Sequence, residues 1–340
     1  MDHILLTGGS GLLGSRIQEY VKSLGNTHLT CLDRSHGYDL TDPKTLLPLF
    51  KSDIKPAFTH VIHAAACTSF SPHYNRLYQV NVMGTATLAK LCNELIPPLK
   101  RFTYVSTAWQ CGLGESKVHS VPYTLTKHLA EDYLIGKKDP LIDSIDSEFK
   151  FPVTIVRPSV LFDHTSTSII WMFLLVYALG ESTVPLNSMF DAVPAKWAAE
   201  AIVTLTLKNK NLNGCYNISS NYPTQTIERI FRGFDDFFAR RGTAHELSVI
   251  AERYKCVSQQ ELNDLIDSSN LDDRMKRTCK YALEKFLPIA SESKLFDNTN
   301  TLSEGIDRPP PLVSYLEQVL QHSTEFSLEQ MIEDEMKDHQ

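Results

Sequence analysis

The chain of 340 residues predicts an α/β fold, a doubly wound parallel sheet with a smaller, mostly helical C-terminal lobe. Three observations predict it. Short apolar runs alternate with longer runs of helical spacing through the first two-thirds; that alternation ceases after Cys215-Tyr216-Asn217-Ile218; and a glycine cluster joins the first strand-like run to the first helix-like one.

Ile4-Leu5-Leu6 reads as the first strand and Leu12 to Leu24 as the first helix. Leu29 to Leu32, His60 to Ala65, Phe102 to Ser106 and Val153 to Val156 are further strand-like runs. Tyr78 to Leu95, Tyr123 to Ile135 and Pro194 to Leu207 carry helical spacing. Parallel strands joined by helices are covered on both faces, and right-handed crossovers then make a doubly wound sheet the natural solution. Residues 1–220 are expected to form the sheet domain and 221–340 the helical lobe, with 160–195 as the segment where the two would interleave. Pro309-Pro310-Pro311 breaks the lobe, and the acidic stretch from Glu325 to Asp338 reads as a solvated helix face. Ile169 to Leu179 is too short to span a bilayer and reads as a buried helix. Its Trp171, Phe173 and Tyr177 are expected in the core.

Composition excludes several classes. A net charge of -7 without any block of lysine and arginine argues against a nucleic-acid partner. Seven scattered cysteines, none in a C-x-x-C pair, fit reduced thiols in a cytoplasmic protein rather than a disulfide framework or a zinc site. Met1 is followed almost at once by a strand-like run, so no signal peptide is expected, nor any membrane span. No metal is expected: His60 and His63 fall on opposite faces of a strand, and His119 and His128 lack partners at a ligand spacing.

Thr7-Gly8-Gly9-Ser10-Gly11-Leu12-Leu13-Gly14 lies between the first strand and the first helix. Glycine there permits a sharp turn, close approach of a pyrophosphate to the backbone, and tight packing of helix on strand. The helix start adds free N–H groups and the positive end of its dipole. Gly8, Ser10, Gly11, Leu12, Leu13 and Gly14 are therefore expected to hold the phosphates of a dinucleotide. Asp33 ends the second strand, where its carboxylate would accept hydrogen bonds from the adenosine ribose and repel a 2′-phosphate, favouring NAD. Arg34 beside it would pair with such a phosphate, so NADP stays open.

Tyr123 and Lys127 stand four apart in Tyr123-Thr124-Leu125-Thr126-Lys127, on one helix face. An ammonium near a phenol favours the phenolate and makes the tyrosine a usable acid or base. Upstream, Tyr104-Val105-Ser106-Thr107 ends a strand with a hydroxyl. On these blocks the chain resembles the extended short-chain dehydrogenase/reductases of the NAD-dependent epimerase/dehydratase superfamily. Further blocks agree in order: Asp39-Leu40, His63-Ala64-Ala65-Ala66, Asn81-Val82-Met83-Gly84-Thr85 and Arg157-Pro158-Ser159-Val160.

The resemblance covers roughly residues 3–220 and implies a Rossmann-like domain with Thr107, Tyr123 and Lys127 as a catalytic triad. Tyr123 would exchange a proton with the reacting oxygen, Thr107 would hydrogen-bond that oxygen, and Lys127 would bind ribose hydroxyls and lower the tyrosine pKa. It also implies cofactor contacts at Asp39, Leu40, Ala64, Ala65, Ala66, Asn81, Pro158 and Val160. By the same analogy the protein would form a homodimer through helices flanking the sheet.

Phe190-Asp191-Ala192-Val193-Pro194 through Ile202, with Ala64 to Phe70, is similar to blocks of thioester reductases and fatty acyl-CoA reductases. Ala195 and Lys196 depart from that pattern. So does the interval after Thr107, where only the fifteen residues 108–122 precede Tyr123 and Cys111-Gly112 stand in place of the usual Tyr-Gly. Cys111 has no histidine base at a motif spacing and reads as a small packing residue rather than a nucleophile. The leading expectation is reduction of a carbonyl or acyl thioester. A sugar-nucleotide epimerase and a cofactor-sensing module without turnover are the alternatives. Dehydration is disfavoured because Ala108 and Trp109, not acidic residues, follow Thr107.

Overall fold

The computed structural model describes residues 1–50, 58–68, 74–95, 98–110, 121–137, 149–163, 169–241, 250–323 and 327–338. The chain divides into two compact units: residues 1–159, 195–218 and 298–307 form the first, and 160–194, 219–297 and 308–340 the second. The boundary is thus crossed several times. A single cut near residue 220 does not describe it, and residues 298–307 return to the first unit.

The first unit holds a six-stranded sheet made of β1 (Asp2–Thr7), β2 (Thr27–Leu32), β3 (His60–His63), β4 (Arg101–Val105), β5 (Val153–Pro158) and β6 (Gly214–Ile218). Their spatial order is β2-β1-β3-β4-β5-β6, and every pairing is parallel. Chain direction across the sheet reverses between β1 and β3, so the crevice beyond their carboxyl ends is the place where such folds take ligands. β3 and β4 are buried along their whole length, as strands covered on both faces must be. Helix α1 (Leu12–Leu24) buries Gly14, Ile17 and Val21 on one stripe, and Gly25 ends it in the left-handed conformation. Helix α2 (Pro43–Phe50) buries Leu46 and Leu49.

The helical run expected from Tyr78 to Leu95 is longer and less regular. It comprises α3 (Tyr74–Leu77), a π-helical stretch (Tyr78–Met83) and α4 (Gly84–Asn93). Widened turns of this kind concentrate at functional positions, and this one carries Asn81. Gly84 has a packing reason to lack a side chain, since a Cβ there would sit 3.0 Å from Leu40 Cβ. Helix α5 (Pro122–Leu134) starts with proline in its first turn, where the missing N–H costs nothing.

The second unit has its own apolar core. Phe162, Phe173, Phe190, Phe231 and Phe286 meet edge to face, with centroids 5.1 Å apart for Phe173–Phe190 and 5.3 Å for Phe162–Phe173. Helix α6 (Ile170–Leu179) buries Trp171, Phe173 and Tyr177 there, as expected. Phe173 also borders a slender apolar cavity with Phe231, Leu283 and Phe286. The acidic C-terminal helix (Leu328–Asp338) is not merely a solvated face, because Met331 and Ile332 are fully buried. Among the described residues, no helix is long and apolar enough to cross a membrane.

Asp191 organises this unit. It is fully buried, and its Oδ1 accepts from Ser220 N at 2.8 Å and Ser220 Oγ at 3.0 Å. Oδ2 accepts from Asn221 N at 3.1 Å and Phe296 N at 3.2 Å, where Asn221 holds a left-handed φ of 51°. One carboxylate therefore ties three chain segments. Asp191→Ala would strand three buried N–H groups and is expected to cost ~3–5 kcal/mol in urea unfolding. A loss below about 1 kcal/mol, the size of one ordinary hydrogen bond, would show that these donors find water instead.

Candidate functional site

The glycine turn has the shape a phosphate cradle needs. Gly8 follows β1 with φ 73°, and a Cβ there would stand 2.7 Å from the backbone N and Cα of Ala65, just past β3. A Cβ on Gly14 would lie 2.0 Å from Gly8 O, so α1 packs against the turn only without a side chain. Gly11 N donates to Gly8 O at 3.1 Å, closing the turn. Gly11 is also the N-cap of α1 and provides no side-chain cap. The first N–H groups of that helix are thus left uncapped beside the exposed Ser10 and Gly11, a fit for an anion. Leu12 and Leu13 are half-buried on that first turn.

At the end of β2, Asp33 is buried and already engaged. Its Oδ1 accepts from Ser35 Oγ at 2.5 Å, His36 N at 3.2 Å and His36 Nδ1 at 2.7 Å. Burial pushes its pKa up, but these bonds from Ser35 and His36 outweigh it and hold the carboxyl below its ordinary value. Arg34 is exposed beside it. Asp39 accepts from Thr41 N at 2.8 Å and Thr41 Oγ1 at 2.7 Å, which together lower its pKa, while Leu40 is buried.

Ala64, Ala65 and Ala66 follow β3 in half-buried positions, with Ala65 N donating to Thr7 Oγ1 at 3.1 Å. His63 lies fully buried between Thr7 Oγ1 at 2.6 Å and Thr85 Oγ1 at 2.8 Å. Burial, with Lys127 adding to it, pushes that imidazole down to about 3, so it stays neutral. Asn81 spends its side-chain amide on the protein. Its Oδ1 accepts from Cys67 N at 2.8 Å, and its Nδ2 donates to Cys67 O and to Thr126 Oγ1, both at 3.0 Å. Thr126 Oγ1 in turn donates to Tyr123 O at 2.9 Å, so Asn81 clamps the loop after β3 to the turn that carries Tyr123.

Thr107 is buried just beyond β4, and Gln110 N donates to its carbonyl at 3.2 Å. The Gln110 side chain donates to Thr124 O, which ties the Thr107 turn to the first turn of α5. Tyr123 and Lys127 share α5 one turn apart. The structure differs from the expectation that the lysine favours the phenolate. Burial pushes the Tyr123 phenol up to about 12, with the nearby Cys67 adding to it. The Lys127 Nζ instead stands 4.2 Å from the centroid of the Tyr104 ring. Burial lowers its pKa to about 7, against the opposing pull of Glu131.

Buried hydroxyls of Ser106 and Ser159, just past β4 and β5, have no hydrogen-bond partner among the described residues. A polar ligand at the carboxyl edge of the sheet would satisfy them. Pro158 ends β5 in the first unit; Val160 opens the second, its N donating to Asp191 O at 3.3 Å. Cys111 and His119 lie outside the described residues. His128 Nε2 stands 3.4 Å from Asp132 Oδ2, one turn along the same helix, and no cluster able to hold a metal occurs among the described residues.

Tyr104 and Glu131 escape sequence reasoning. Glu131 continues the Tyr123, Lys127 stripe at a further four residues, a signal that was available. Tyr104 gave no such signal, because only the packing of β4 on α5 brings it under the lysine.

Comparison with known proteins adds a family. Residues 4–218 match the model of the NAD dependent epimerase/dehydratase family. Among solved structures, the chain is similar to the terminal R domain of the myxalamid PKS-NRPS biosynthetic pathway. The TM-score is 0.72 at 18% identity, over 96% of this chain and 91% of that one. It is also similar to the thiolation-reductase di-domain of an archaeal non-ribosomal peptide synthetase, with TM-score 0.66, 15% identity and coverage of 96% and 75%. The UDP-glucose 4-epimerase of Thermus thermophilus, solved as its NAD complex, gives TM-score 0.62, 16% identity and coverage of 96% and 100%. No curated protein sequence matches the chain.

Proposed function

The chain belongs to the NAD dependent epimerase/dehydratase family, and from that premise we propose that it is an NAD(P)-dependent oxidoreductase of the extended short-chain type that reduces a carbonyl or an acyl thioester. The observation that carries this reading is the placement of the Tyr123 phenol and the Lys127 ammonium one turn apart on one face of α5, in the same compact unit as the glycine turn. A protonated phenol is an acid at neutral pH, and reduction of a carbonyl needs an acid.

In this reading the glycine turn and the uncapped start of α1 hold the pyrophosphate, and Asp33 and Asp39 face the adenosine end. Lys127 binds ribose hydroxyls. When bound, the nicotinamide supplies the hydride. Tyr123 delivers its proton to the oxygen of the former carbonyl, and Thr107 orients that oxygen by a hydrogen bond. With a thioester, the carbon gains a hydride, the oxygen a proton, and the carbon–sulfur bond then breaks to leave an aldehyde and a free thiol. The likeness to two reductase domains of peptide and polyketide synthetases supports the thioester as the first substrate class to try. Asp33 supports NAD. Its Oδ1 is already saturated by Ser35 and His36, and the cationic Arg34 is adjacent, so NADP is the second cofactor to test.

Epimerisation is the competing reading, favoured by the comparable fit to an epimerase that carries NAD. The near-ultraviolet absorbance of the protein decides between them. Consumption of added NADH or NADPH with an acyl-CoA or an aldehyde supports the reductase. Dinucleotide retained through purification, with no net consumption, points to the epimerase. Binding without any turnover points to a sensor.

A further inference from the structure

Lys127 is a charged side chain only 2% exposed, and an isolated buried ammonium tends to shed its proton. Its surroundings are worked out differently on each side. From β4, Tyr104 presents its ring face with the ammonium 4.2 Å from the centroid. Burial, with Glu131 and Tyr123 near, pushes the Tyr104 phenol well above its ordinary value, so the ring stays neutral and keeps its electron-rich face. From β3, His63 is neutral, its imidazole gripped by Thr7 and Thr85. On α5 itself Glu131 is one turn beyond the lysine, and of these neighbours only Glu131 raises the lysine's affinity for a proton. Arg157 on β5 forks onto Glu131, Nε to Oε1 at 3.0 Å and Nη2 to Oε2, which fixes the carboxylate in place.

We propose that Tyr104 and Glu131 are positioning residues for the buried Lys127 ammonium and together form its cage, the ring face holding it from the sheet and the carboxylate drawing it by charge from one turn along the helix. The inference rests on the cofactor role of Lys127 given above and deepens it. The cage offsets part of the effect of burial on the ammonium and fixes its position, in the place from which it serves the ribose, before any dinucleotide arrives. Stacking over an aromatic face is strongest where water is excluded, and Lys127 is 2% exposed. The ring of Tyr104 contributes its face and not its hydroxyl, so phenylalanine should replace it.

The test is NADH affinity, read by fluorescence titration across neutral and mildly alkaline pH. The wild type should bind tightly while Lys127 is protonated and more weakly above about 7, where it loses its proton. Tyr104→Phe should overlay the wild type. Tyr104→Leu, and independently Glu131→Gln, should move the midpoint down by about one pH unit, and Lys127→Met should have no midpoint. A midpoint that stays put in both Tyr104→Leu and Glu131→Gln overturns the cage, as does Tyr104→Phe shifting as far as Tyr104→Leu. Should Tyr104→Leu fail to fold, Glu131→Gln alone decides. If the wild type binds no dinucleotide at any pH, the cofactor reading fails instead. The cage is then judged from stability against pH, where Tyr104→Phe should match the wild type and Tyr104→Leu should start its rise about one unit lower.

Discussion

Lys127→Met is expected to erase a rise in stability with pH that the wild type shows above neutrality. The lysine titrates near 7 in the folded protein, against an ordinary value of 10.5. Below pH 7 it carries its proton in both folded and unfolded chains, so it adds no slope. Between 7 and 10.5 the unfolded chain keeps the proton and the folded one has released it. A native state that binds fewer protons than the unfolded one gains stability as pH rises. From pH 7 to roughly 8.5 the gain is about 1.5–2 kcal/mol, at 1.36 kcal/mol for each unit of separation. Tyrosines and cysteines that burial pushes up oppose this at higher pH, among them Tyr123 and Cys279. The difference between wild type and variant cancels them. Urea unfolding at several pH values should therefore show the variant more stable at low pH and the gap closing as pH rises. Parallel curves for the two proteins would mean that Lys127 titrates near its ordinary value, and that its surroundings are wetter than the structure shows.

How much of this was legible beforehand follows from what local sequence can encode. The glycine turn reads directly, because each glycine answers a short-range demand: Gly8 against Ala65, and Gly14 against Gly8 itself. The parallel sheet reads from alternation, since β1, β3, β4 and β5 each carry the apolar run that two-sided burial requires. The π-helical stretch at Tyr78–Met83 does not read, because one inserted residue hardly disturbs an apolar stripe. The return of residues 298–307 to the first unit depends on contacts such as Thr301 Oγ1 to Asn217 O at 2.7 Å, distant in sequence and without a pattern of their own. At the site, the spacing of Tyr123 and Lys127 was plain, whereas the direction of the Tyr123 shift was not. Proximity of a lysine suggests a lowered phenol pKa; burial, which only packing reveals, reverses it. Asp33 shows the same limit, since the neighbours that occupy its Oδ1 matter as much as the carboxylate itself.

Tyr123→Phe should lower turnover by about 10²–10⁴-fold, the range spanned by a positioned proton donor. The loss should fall on the chemical step. Phenylalanine keeps the ring in its half-buried seat on the first turn of α5, and the tether from Thr126 Oγ1 to the Tyr123 carbonyl is a backbone contact that the change leaves intact. NADH affinity and the unfolding midpoint should therefore stay near the wild-type values, while single-turnover oxidation of bound NADH by an aldehyde or acyl-CoA slows. Direction matters as well. With the phenol protonated up to about 12, the donor is available across the whole neutral range and the reducing direction needs no prior deprotonation. The oxidising direction needs a phenolate, which is scarce at pH 7 and grows about tenfold with each pH unit. Alcohol oxidation should accordingly accelerate with pH far more steeply than carbonyl reduction does. A variant that turns over as fast as the wild type would take Tyr123 out of the chemistry.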